Sequence, residues 1–349
     1  MARKNPKTPS PTHSPRHHSS SNAAEADETV DSRLRKAAEL SKKPPRIALE
    51  DPIIAHLFLH YIETIAPWYD LNDATNTFSI LVTSRALDFP VLFRAIIALS
   101  SEIAFAFYAT CVEDLLQALD GAYEIMSGND LLTWDMAQAG FWNYLREEIT
   151  VSLASAPNRM VRIGKDLTQF RDTMVLPNIG DDMRANLVSY IVARALNLYC
   201  SIRGTEVEGG GPHWLEEHLA TWDALMADLT VWTDNLPATF HPFSVTPKPG
   251  NAFPSEWMLK PWHVSALQYA SLAKILLLLS SPTHRFDSSQ TPPEAVQKLA
   301  LRICGLARTN ENLAAMLNSF GPLFFGVSIL STFPRQTARG TDSYQPAGI

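Results

Sequence analysis

Residues 51–65 read DPIIAHLFLHYIETI, and this stretch is the clearest indication of the fold class. Asp51 can accept hydrogen bonds from the first free backbone N–H groups of a helix, and Pro52 suits the first helical turn because its missing N–H costs nothing there. The apolar residues that follow recur at the three- and four-residue spacing of one helix face. They are Ile53, Ile54, Leu57, Phe58, Tyr61, Ile62 and Ile65. The stretch therefore predicts an amphipathic helix, with Pro67 near its end.

The same helical spacing returns along most of the chain. It appears after Pro90 and in the segments 111–125, 134–153, 181–203, 213–235, 256–280, 293–307 and 311–330. Alternating patterns typical of strands are scarce, and the candidates at 161–163 and 173–176 are too short to build a sheet. The sequence thus predicts an all-α protein, a multi-helix domain that buries its apolar stripes in two or three layers.

Charge divides the chain into a basic beginning and an acidic remainder. The 349 residues carry a net charge of −7. Residues 1–46 hold ten basic and five acidic side chains, a net charge of +5, which leaves −12 for the rest. Proline, serine and charged residues dominate this beginning, and its few apolar residues cannot offset the entropy lost on folding. We therefore expect a disordered basic tail over 1–46, a helical domain over 47–333 and a flexible C-terminal tail over 334–349.

The densest positive charge of the tail lies in RLRKAAELSKKPPR, residues 33–46. Short clusters of lysine and arginine are typical of nuclear-localisation signals and of nucleic-acid contacts. A solvated linker has the same composition, so the residues alone leave both interpretations open. The candidate patch consists of Arg33, Arg35, Lys36, Lys42, Lys43 and Arg46.

Two residue pairs match known catalytic motifs only in part. His213 and His218 are five residues apart, about 140° around a helix, whereas a metal-binding pair needs the four-residue spacing. Ser271 and Lys274 match S-x-x-K, but the S-D-N and K-T-G elements that accompany it in penicillin-recognising enzymes are missing from the sequence. Both pairs are therefore interpreted as ordinary helix residues.

Neighbouring carboxylates and glycines do not complete a site either. Glu147 and Glu148 diverge by about 100° on a helix and cannot share one reacting centre. Asp181 and Asp182 are better placed to stabilise the positive end of a helix dipole. The glycines at 209–211 lack both the preceding strand and the following G-K-[ST] of a phosphate-binding loop. We therefore expect no enzyme activity, no catalytic residue, no metal ligand and no cofactor-binding residue.

Cysteine and tryptophan usage also bears on the class of protein. Cys111, Cys200 and Cys304 are too far apart for a disulfide framework or a C-x-x-C metal site, which favours a reducing compartment. No apolar run approaches the ~20 residues that span a bilayer, so no membrane partner is expected. Several tryptophans lie in the predicted helices, where they either pack in the core or line a cavity for a small apolar ligand. They are Trp142, Trp222, Trp232, Trp257 and Trp262.

Residues 137–149, AQAGFWNYLREEI, resemble a recurrent F-W-x-x-L-R-Q-E block in the helical regulatory region of fungal zinc binuclear cluster transcription factors. Glu147 stands where these proteins usually have glutamine. Further blocks occur in the expected order, and the similarity covers about residues 51–330. The motif residues, for which a structural role is expected, are Phe141, Trp142, Leu145, Arg146, Glu148, Trp232, Pro237, Phe253, Pro254, Trp257 and Asn310.

This resemblance implies a transcription regulator or co-regulator located in the nucleus. Many such proteins govern a fungal metabolic gene cluster, secondary metabolism included, and their helical region receives signals and mediates self-association. The implied partners are a DNA-binding transcription factor or a second copy of the chain, together with a small-molecule effector. A ligand-binding or scaffolding protein derived from such a regulator is the alternative.

The chain departs from this family in a feature that decides how DNA is read. The zinc-cluster module needs six cysteine thiolates in two close triplets, and residues 1–110 contain no cysteine. The chain is therefore expected to act without its own zinc cluster, unless sequence upstream of Met1 encodes one. The basic tail would add at most weak, salt-sensitive contacts to DNA phosphates, without a base-reading element.

Overall fold

The computed structural model describes residues 39, 43–105, 120, 122–123, 135–163, 168–176, 178–205, 212–245, 253–281 and 294–332. Several predictions fall outside these residues. They are most of the 1–46 tail, the 334–349 tail, most of the helix at 111–125 and the glycine loop at 209–211.

Helices make up nearly all of the described structure, so the all-α prediction is confirmed. The α-helices are α1 Pro45–Ala48, α2 Pro52–His60, α3 Ala66–Tyr69, α4 Thr83–Ala86, α5 Pro90–Phe105, α6 Asp135–Ser155, α7 Thr168–Thr173, α8 Asp181–Thr205, α9 Pro212–Asp234, α10 Pro261–Leu279, α11 Glu294–Thr309, α12 Leu313–Asn318 and α13 Phe320–Thr332. Two π-helical segments, Tyr61–Ile65 and Thr77–Val82, and a 3-10 turn, Ala238–Phe240, add to them. Strands β1, Ser244–Val245, and β2, Glu256–Trp257, pair antiparallel, with Ser244 opposite Trp257.

The described residues form two compact units, and the smaller takes its described residues from the ranges 1–61 and 85–108. Asp51 caps α2 as predicted, because its side chain accepts a hydrogen bond from the backbone N–H of Ile53 at 2.9 Å. Helix α2 packs against α5, and the ring centroids of Phe58 and Phe93 lie 5.5 Å apart in this contact. The capping signal and the apolar stripe read from the sequence therefore both act in this unit.

The larger unit comprises residues 62–84 and 109–349, and α8 and α10 form its centre. Helices α6 and α9 pack on α8, whereas α9, α11 and α12 pack on α10. Helix α13 contacts both α6 and α11. The apolar stripes of α6, α8, α9, α10, α11 and α13 meet in one core, whose largest fully buried side chains include Phe141, Leu145, Ile149, Leu187, Phe240 and Tyr269. Ala314 and Ala315 of α12 belong to a second, smaller cluster.

Within the described ranges, α10 is the one helix long and apolar enough to cross a membrane by length and composition. The central helix of a folded core meets the same criteria. In α10, 72% of the most apolar 18-residue window is buried inside the protein. Packing against α8, α9 and α11 therefore accounts for its apolar character.

The predicted helix at 256–280 begins later than expected. Residues Glu256–Trp257 form β2 instead, and Lys260 is extended, with φ −139° and ψ 151°. Helix α10 then starts at Pro261, whose fixed φ and missing N–H suit a first helical position. The error arose because the strand pairing of Glu256 and Trp257 depends on a partner outside the segment.

The predicted helix at 311–330 is two helices, α12 and α13, separated at Ser319. Pro322 explains the break. It has no N–H to donate to the carbonyl of Asn318, four residues earlier, and its ring would clash with that carbonyl in a continuous helix. The helix predicted over 51–65 also changes character, since α2 ends at His60 and continues as the π-helical segment Tyr61–Ile65.

Candidate functional site

A cavity of about 300 Å³ lies in the larger unit between α6, the first turns of α8 and the segment 69–82. On α6 and on α8 the lining residues recur at helical spacing, so that one face of each helix forms a wall. The lining residues are Gln138, Ala139, Trp142, Asn143 and Arg146 of α6, Asp182, Met183 and Asn186 of α8, and Tyr69, Asn72, Asp73, Thr75, Thr77, Ile80 and Leu81 of the segment.

The F-W-x-x-L-R-x-E block of α6 contributes to both the core and the cavity. Phe141 and Leu145 belong to the core, with 1% and 0% of their surface exposed. Trp142 and Arg146, four residues apart, lie on the cavity wall. The same block therefore anchors the helix and brings an indole and a guanidinium to one cavity.

Arg146 is a buried cation held by two asparagines. Its Nη1 donates to Oδ1 of Asn186 at 2.9 Å, and its Nη2 donates to Oδ1 of Asn143 at 2.5 Å. Nδ2 of Asn186 donates to the carbonyl of Asn72 at 2.9 Å, and Nδ2 of Asn143 donates to the carbonyl of Tyr69 at 3.0 Å. The segment 69–82 forms the third wall of the cavity. The network therefore ties α6, α8 and this third wall together around the guanidinium.

Several polar atoms of the wall have no partner in the described structure. They are Nε of Arg146 and both side-chain polar atoms of Asn72, all of which are shielded from solvent. Burial lowers the pKa of the Arg146 guanidinium, because its charge is poorly solvated. An unsatisfied buried polar group costs about 1–3 kcal/mol, and more if it is charged. A polar ligand that completes these hydrogen bonds, after the side chains move to expose these atoms, would therefore be bound favourably.

Asp70 shapes the third wall although it does not line the cavity. Its carboxylate accepts hydrogen bonds from the backbone N–H groups of Phe78 and Ser79 at 2.7 and 2.8 Å. Burial raises the pKa of Asp70, although these hydrogen bonds oppose the rise. The carboxylate satisfies N–H groups in the first turn of the π-helical segment Thr77–Val82, which have no partner inside the helix.

Asp73 and Asp182 add two carboxylates to the cavity wall. Asp73 accepts hydrogen bonds from the backbone N–H groups of Thr75 and Thr77, both at 2.9 Å. Burial pushes the pKa of Asp73 up, but the hydrogen bonds from both threonines outweigh burial and hold it below its usual range. Asp182 accepts from the backbone N–H of Ala74 at 3.0 Å. The cavity thus combines one buried cation with two carboxylates.

Glu148, the last residue of the motif block, is fully buried in an ion-pair network. Its Oε1 lies 3.0 Å from Nη2 of Arg159 and 2.6 Å from Nη2 of Arg162. Arg162 also pairs with Asp120 at 2.5 Å. The network holds the segment that follows α6 against the helix.

Asn310 joins two motif blocks that are far apart in the chain. Its Nδ2 donates to the carbonyl of Glu256 at 2.9 Å, and its Oδ1 accepts from the N–H of Met258 at 3.0 Å. The side chain thus imitates a strand partner for the stretch that contains Trp257, which is 39% exposed. Its position is structural, between the end of α11 and the approach to α10.

The backbone of Pro254 contacts α11, the helix that Asn310 follows. A Cβ at Gly305 of α11 would clash with the Pro254 carbonyl oxygen, so only glycine permits this approach. Phe253 is half-buried beside it.

Trp232 and Pro237 lie at the end of α9. Nε1 of Trp232 donates to the carbonyl of Arg184 at 2.8 Å, and the indole meets the ring of Phe240 edge-on at 6.1 Å. Pro237 precedes the 3-10 turn that contains Phe240. Trp232 is thereby a core residue that also lines a cavity, so the two interpretations of the tryptophans are not exclusive at this position.

The candidate basic patch is described only at its end. Lys43 and Arg46 are exposed, and Nη2 of Arg46 lies 3.3 Å from Oδ1 of Asp88. The other patch residues, Arg33, Arg35, Lys36 and Lys42, lie outside the described residues.

The histidines of the partial zinc motif are separated in the structure. His213 is exposed, whereas Nε2 of His218 lies 2.7 Å from Oγ of Ser201 and its Nδ1 lies 2.7 Å from the carbonyl oxygen of Trp214. Among the described residues, no cluster of three or more His, Cys, Asp or Glu side chains could hold a metal ion.

Ser271 and Lys274 line a second cavity, of about 320 Å³, between α9, α10 and α11. Oγ of Ser271 donates to the carbonyl of Leu267 at 2.7 Å, so the hydroxyl is engaged by its own helix. Burial lowers the pKa of Lys274. The lysine Nζ lies 3.6 Å from Sδ of Met226 and not from the serine hydroxyl.

Reasoning from the sequence missed Asn72, Asn143 and Asn186, which form the network around Arg146. A single asparagine forms no recognisable sequence motif, and its importance depends on residues that are distant in the chain. One signal was present in the run DLNDATNT, residues 70–77, whose Asp, Asn and Thr content is typical of side-chain-capped turns.

In comparisons with known proteins, no protein-family model, no curated protein and no solved structure matches this chain.

Proposed function

We propose that this chain is a nuclear regulator of transcription whose helical domain binds a small polar effector in the cavity between α6 and α8. The printed sequence contains too few cysteines for a zinc cluster, and the proposed partners are a DNA-binding factor or a second copy of the chain. Its targets are the genes of a fungal metabolic cluster. The resemblance of its ordered sequence blocks to the zinc-cluster factors supports the regulatory role.

One observation supports the effector site above the others, namely that the motif block itself builds the cavity. Trp142 and Arg146, two residues of that block, line the wall, and the Nε of Arg146 has no partner in the described residues. A ligand bound there touches α6 and α8 together. Because α8 is at the centre of the larger unit, a change in this contact alters packing throughout it, and a ligand that prefers one packing shifts the population.

Gene deletion and complementation test the proposal in cells. We expect the tagged protein in the nucleus, and we expect wild type to restore a set of transcripts that the deletion removes. Asn72→Leu removes an amide from the cavity and should fail to restore them while folding normally, as judged by circular dichroism. The matched control Asn158→Leu changes an exposed residue and should restore them. A tagged protein that remains cytosolic, with transcripts unchanged by deletion, would refute the regulatory role.

The alternative is a ligand-binding protein that has no transcriptional role, and the same cavity supports it. Chromatin immunoprecipitation separates the two. A signal at defined promoters, lost when the DNA-binding partner is deleted, favours the regulator. A ligand that stabilises the purified protein without any promoter signal favours the alternative.

A further inference from the structure

We infer that the cavity binds a small zwitterion of the amino-acid type, with its carboxylate at Arg146 and its ammonium group near Asp73 and Asp182. This inference rests on the proposed effector site and names the chemistry that the site selects. It follows from three properties of the wall: a buried cation and two carboxylates that form no ion pair among the described residues, and apolar side chains that line the same cavity.

The cation comes first. Both Nη atoms of Arg146 donate to asparagine side chains, and none of the ion pairs among the described residues includes this guanidinium. Two neutral amides orient a guanidinium but do not neutralise it. Glu147 and Asp73 act on this charge from a distance, but neither forms an ion pair with it among the described residues, so an anion in direct contact with the guanidinium would still be bound favourably. A carboxylate also fits the planar, forked donors of arginine better than a spherical anion does.

The carboxylates of Asp73 and Asp182 favour a positively charged group at the other end of the ligand. Neither Asp73 nor Asp182 forms an ion pair within the described ranges. Asp182 accepts a hydrogen bond from the backbone N–H of Ala74, which leaves lone pairs for a further donor. Asp73, in contrast, accepts from the backbone N–H groups of Thr75 and Thr77 and from the Thr75 hydroxyl, and it would attract the ammonium group through its charge. The carboxylate of a simple carboxylic acid would be repelled by these groups, whereas an amino acid also carries an ammonium group, one carbon away from its carboxylate, that they attract.

The remaining wall accepts an apolar side chain. Trp142, Ile80, Leu81 and Met183 line the cavity together with the charged residues. A volume of about 300 Å³ is at the small end of ligand sites and suits a metabolite rather than a larger cofactor.

Asn72 connects binding to a change in the protein. Its two unpartnered side-chain atoms are shielded from solvent, although the residue lines the cavity. A ligand that reaches them must displace this side chain. Because the backbone carbonyl of Asn72 is bound to Asn186 of α8, the displacement is passed to the central helix.

Calorimetric titration of the purified full chain with matched probes tests the inference. A panel of L-amino acids is compared with the carboxylic acids that lack the amino group and with the amines that lack the carboxylate. We expect at least one amino acid to bind at least tenfold more tightly than both of its counterparts. The inference is overturned if the acid or the amine binds as tightly as the amino acid, or if no amino acid binds.

Variants locate the binding site. Asp182→Asn preserves the shape of the side chain and its capacity to accept the hydrogen bond from the N–H of Ala74. It should weaken amino-acid binding at least fivefold. Binding of the carboxylic acid should be unchanged or tighter. Asp88→Asn removes an exposed charge in the smaller unit and should change neither. Equal effects of the two substitutions would also overturn the inference.

The outcome can be separated from that of the proposed function. If no amino acid binds but the transcripts still depend on Asn72, the proposed effector site is retained and only the zwitterionic ligand is rejected. If an amino acid binds tightly but gene deletion changes no transcript, the zwitterion site is retained and the regulatory role is rejected.

Discussion

Glu148 illustrates how a single buried charge depends on its neighbours. Its side chain is fully buried, whereas 21% and 32% of the side chains of Arg159 and Arg162 remain exposed. The carboxylate loses its water on folding, and only the two guanidinium groups and the N–H of Arg162 replace it. Removing its charge leaves both arginines without their main acceptor.

We predict that Glu148→Gln destabilises the protein by about 2–4 kcal/mol, near the range for breaking buried ion pairs and reduced by the exposure of the arginines. Urea denaturation measures the change. The matched control is Glu294→Gln, the same substitution in an exposed pair with Lys298 on α11. Exposed pairs contribute little, so the control should unfold like wild type. Similar destabilisation in both variants would show that burial of Glu148 is not what matters.

His263 makes a second residue-scale contribution, which depends on pH. Its side chain is 1% exposed, and Nε2 lies 3.1 Å from Oδ2 of Asp181. Burial lowers the pKa of His263, although the hydrogen bond to Asp181 opposes this shift. The unfolded chain therefore takes up a proton at higher pH than the folded protein does, so acidification favours unfolding.

We predict that the free energy of unfolding falls as the pH decreases below about 6.5, the ordinary pKa of histidine, by up to about 1.4 kcal/mol per pH unit for one proton. The loss ends once the pH is below the pKa of the folded state. The free energy of unfolding, measured by denaturation at pH 7.5 and at pH 5.5, should differ less between the two pH values for His263→Gln than for wild type, because glutamine cannot take up this proton. An unchanged difference would contradict the prediction, whatever the variant's overall stability.

At the scale of elements, the contact of α11 with the stretch before α10 depends on a missing side chain. Gly305 of α11 allows the Pro254 carbonyl to approach the helix, and Asn310 then binds the backbone of the same stretch two residues further on. Gly326 of α13 is different, since a Cβ there would meet Ala300 only at 3.8–3.9 Å, an ordinary contact distance.

The two glycines therefore predict opposite results for the same substitution. Gly305→Ala should lower stability by about 1–3 kcal/mol, because the added carbon meets backbone that cannot rotate away. Gly326→Ala should be neutral or should raise stability by up to about 1 kcal/mol, because alanine is the better helix former. Thermal unfolding followed by circular dichroism compares them directly. Equal losses would show that helix packing, rather than the Pro254 contact, limits both sites.

For the whole molecule, the division of charge determines how the chain meets nucleic acid. A net charge of +5 in residues 1–46 opposes −12 in the remainder. The tail is attracted to phosphates while the body is repelled, so binding is expected to be weak, and phosphate contacts carry no sequence information.

We predict that the full chain binds short DNA duplexes of unrelated sequence equally and only at low salt. Binding should fall steeply between about 50 and 200 mM salt, as expected when counterions are released. A variant lacking residues 1–46 should not bind under either condition. Gel retardation with unrelated duplexes measures both effects. A marked preference for one sequence would contradict the prediction, because it requires a base-reading element.

Much of the fold was predictable because its determinants are local. Asp51 and Pro52 mark the start of α2 with neighbouring atoms, and the apolar spacing predicted the positions of α6, α8, α9 and α11 to within a few residues. Local signals failed where a distant partner decides. The strand pairing of Glu256–Trp257 is an example, since its partner Ser244–Val245 precedes it by about ten residues.

The sequence by itself determined that this protein is all-α, the bounds of α6, α8, α9 and α11 to within a few residues, and how its charge is divided. Only the tertiary structure decided that Arg146 lies in a cavity. Its asparagine partner Asn186 is 40 residues away, and the link from Asn186 to Asn72 spans 114 residues. Helical spacing shows that Trp142 and Arg146 share a face but not what that face meets. Burial, which makes an unpaired guanidinium costly and therefore informative, is a property of the packed molecule.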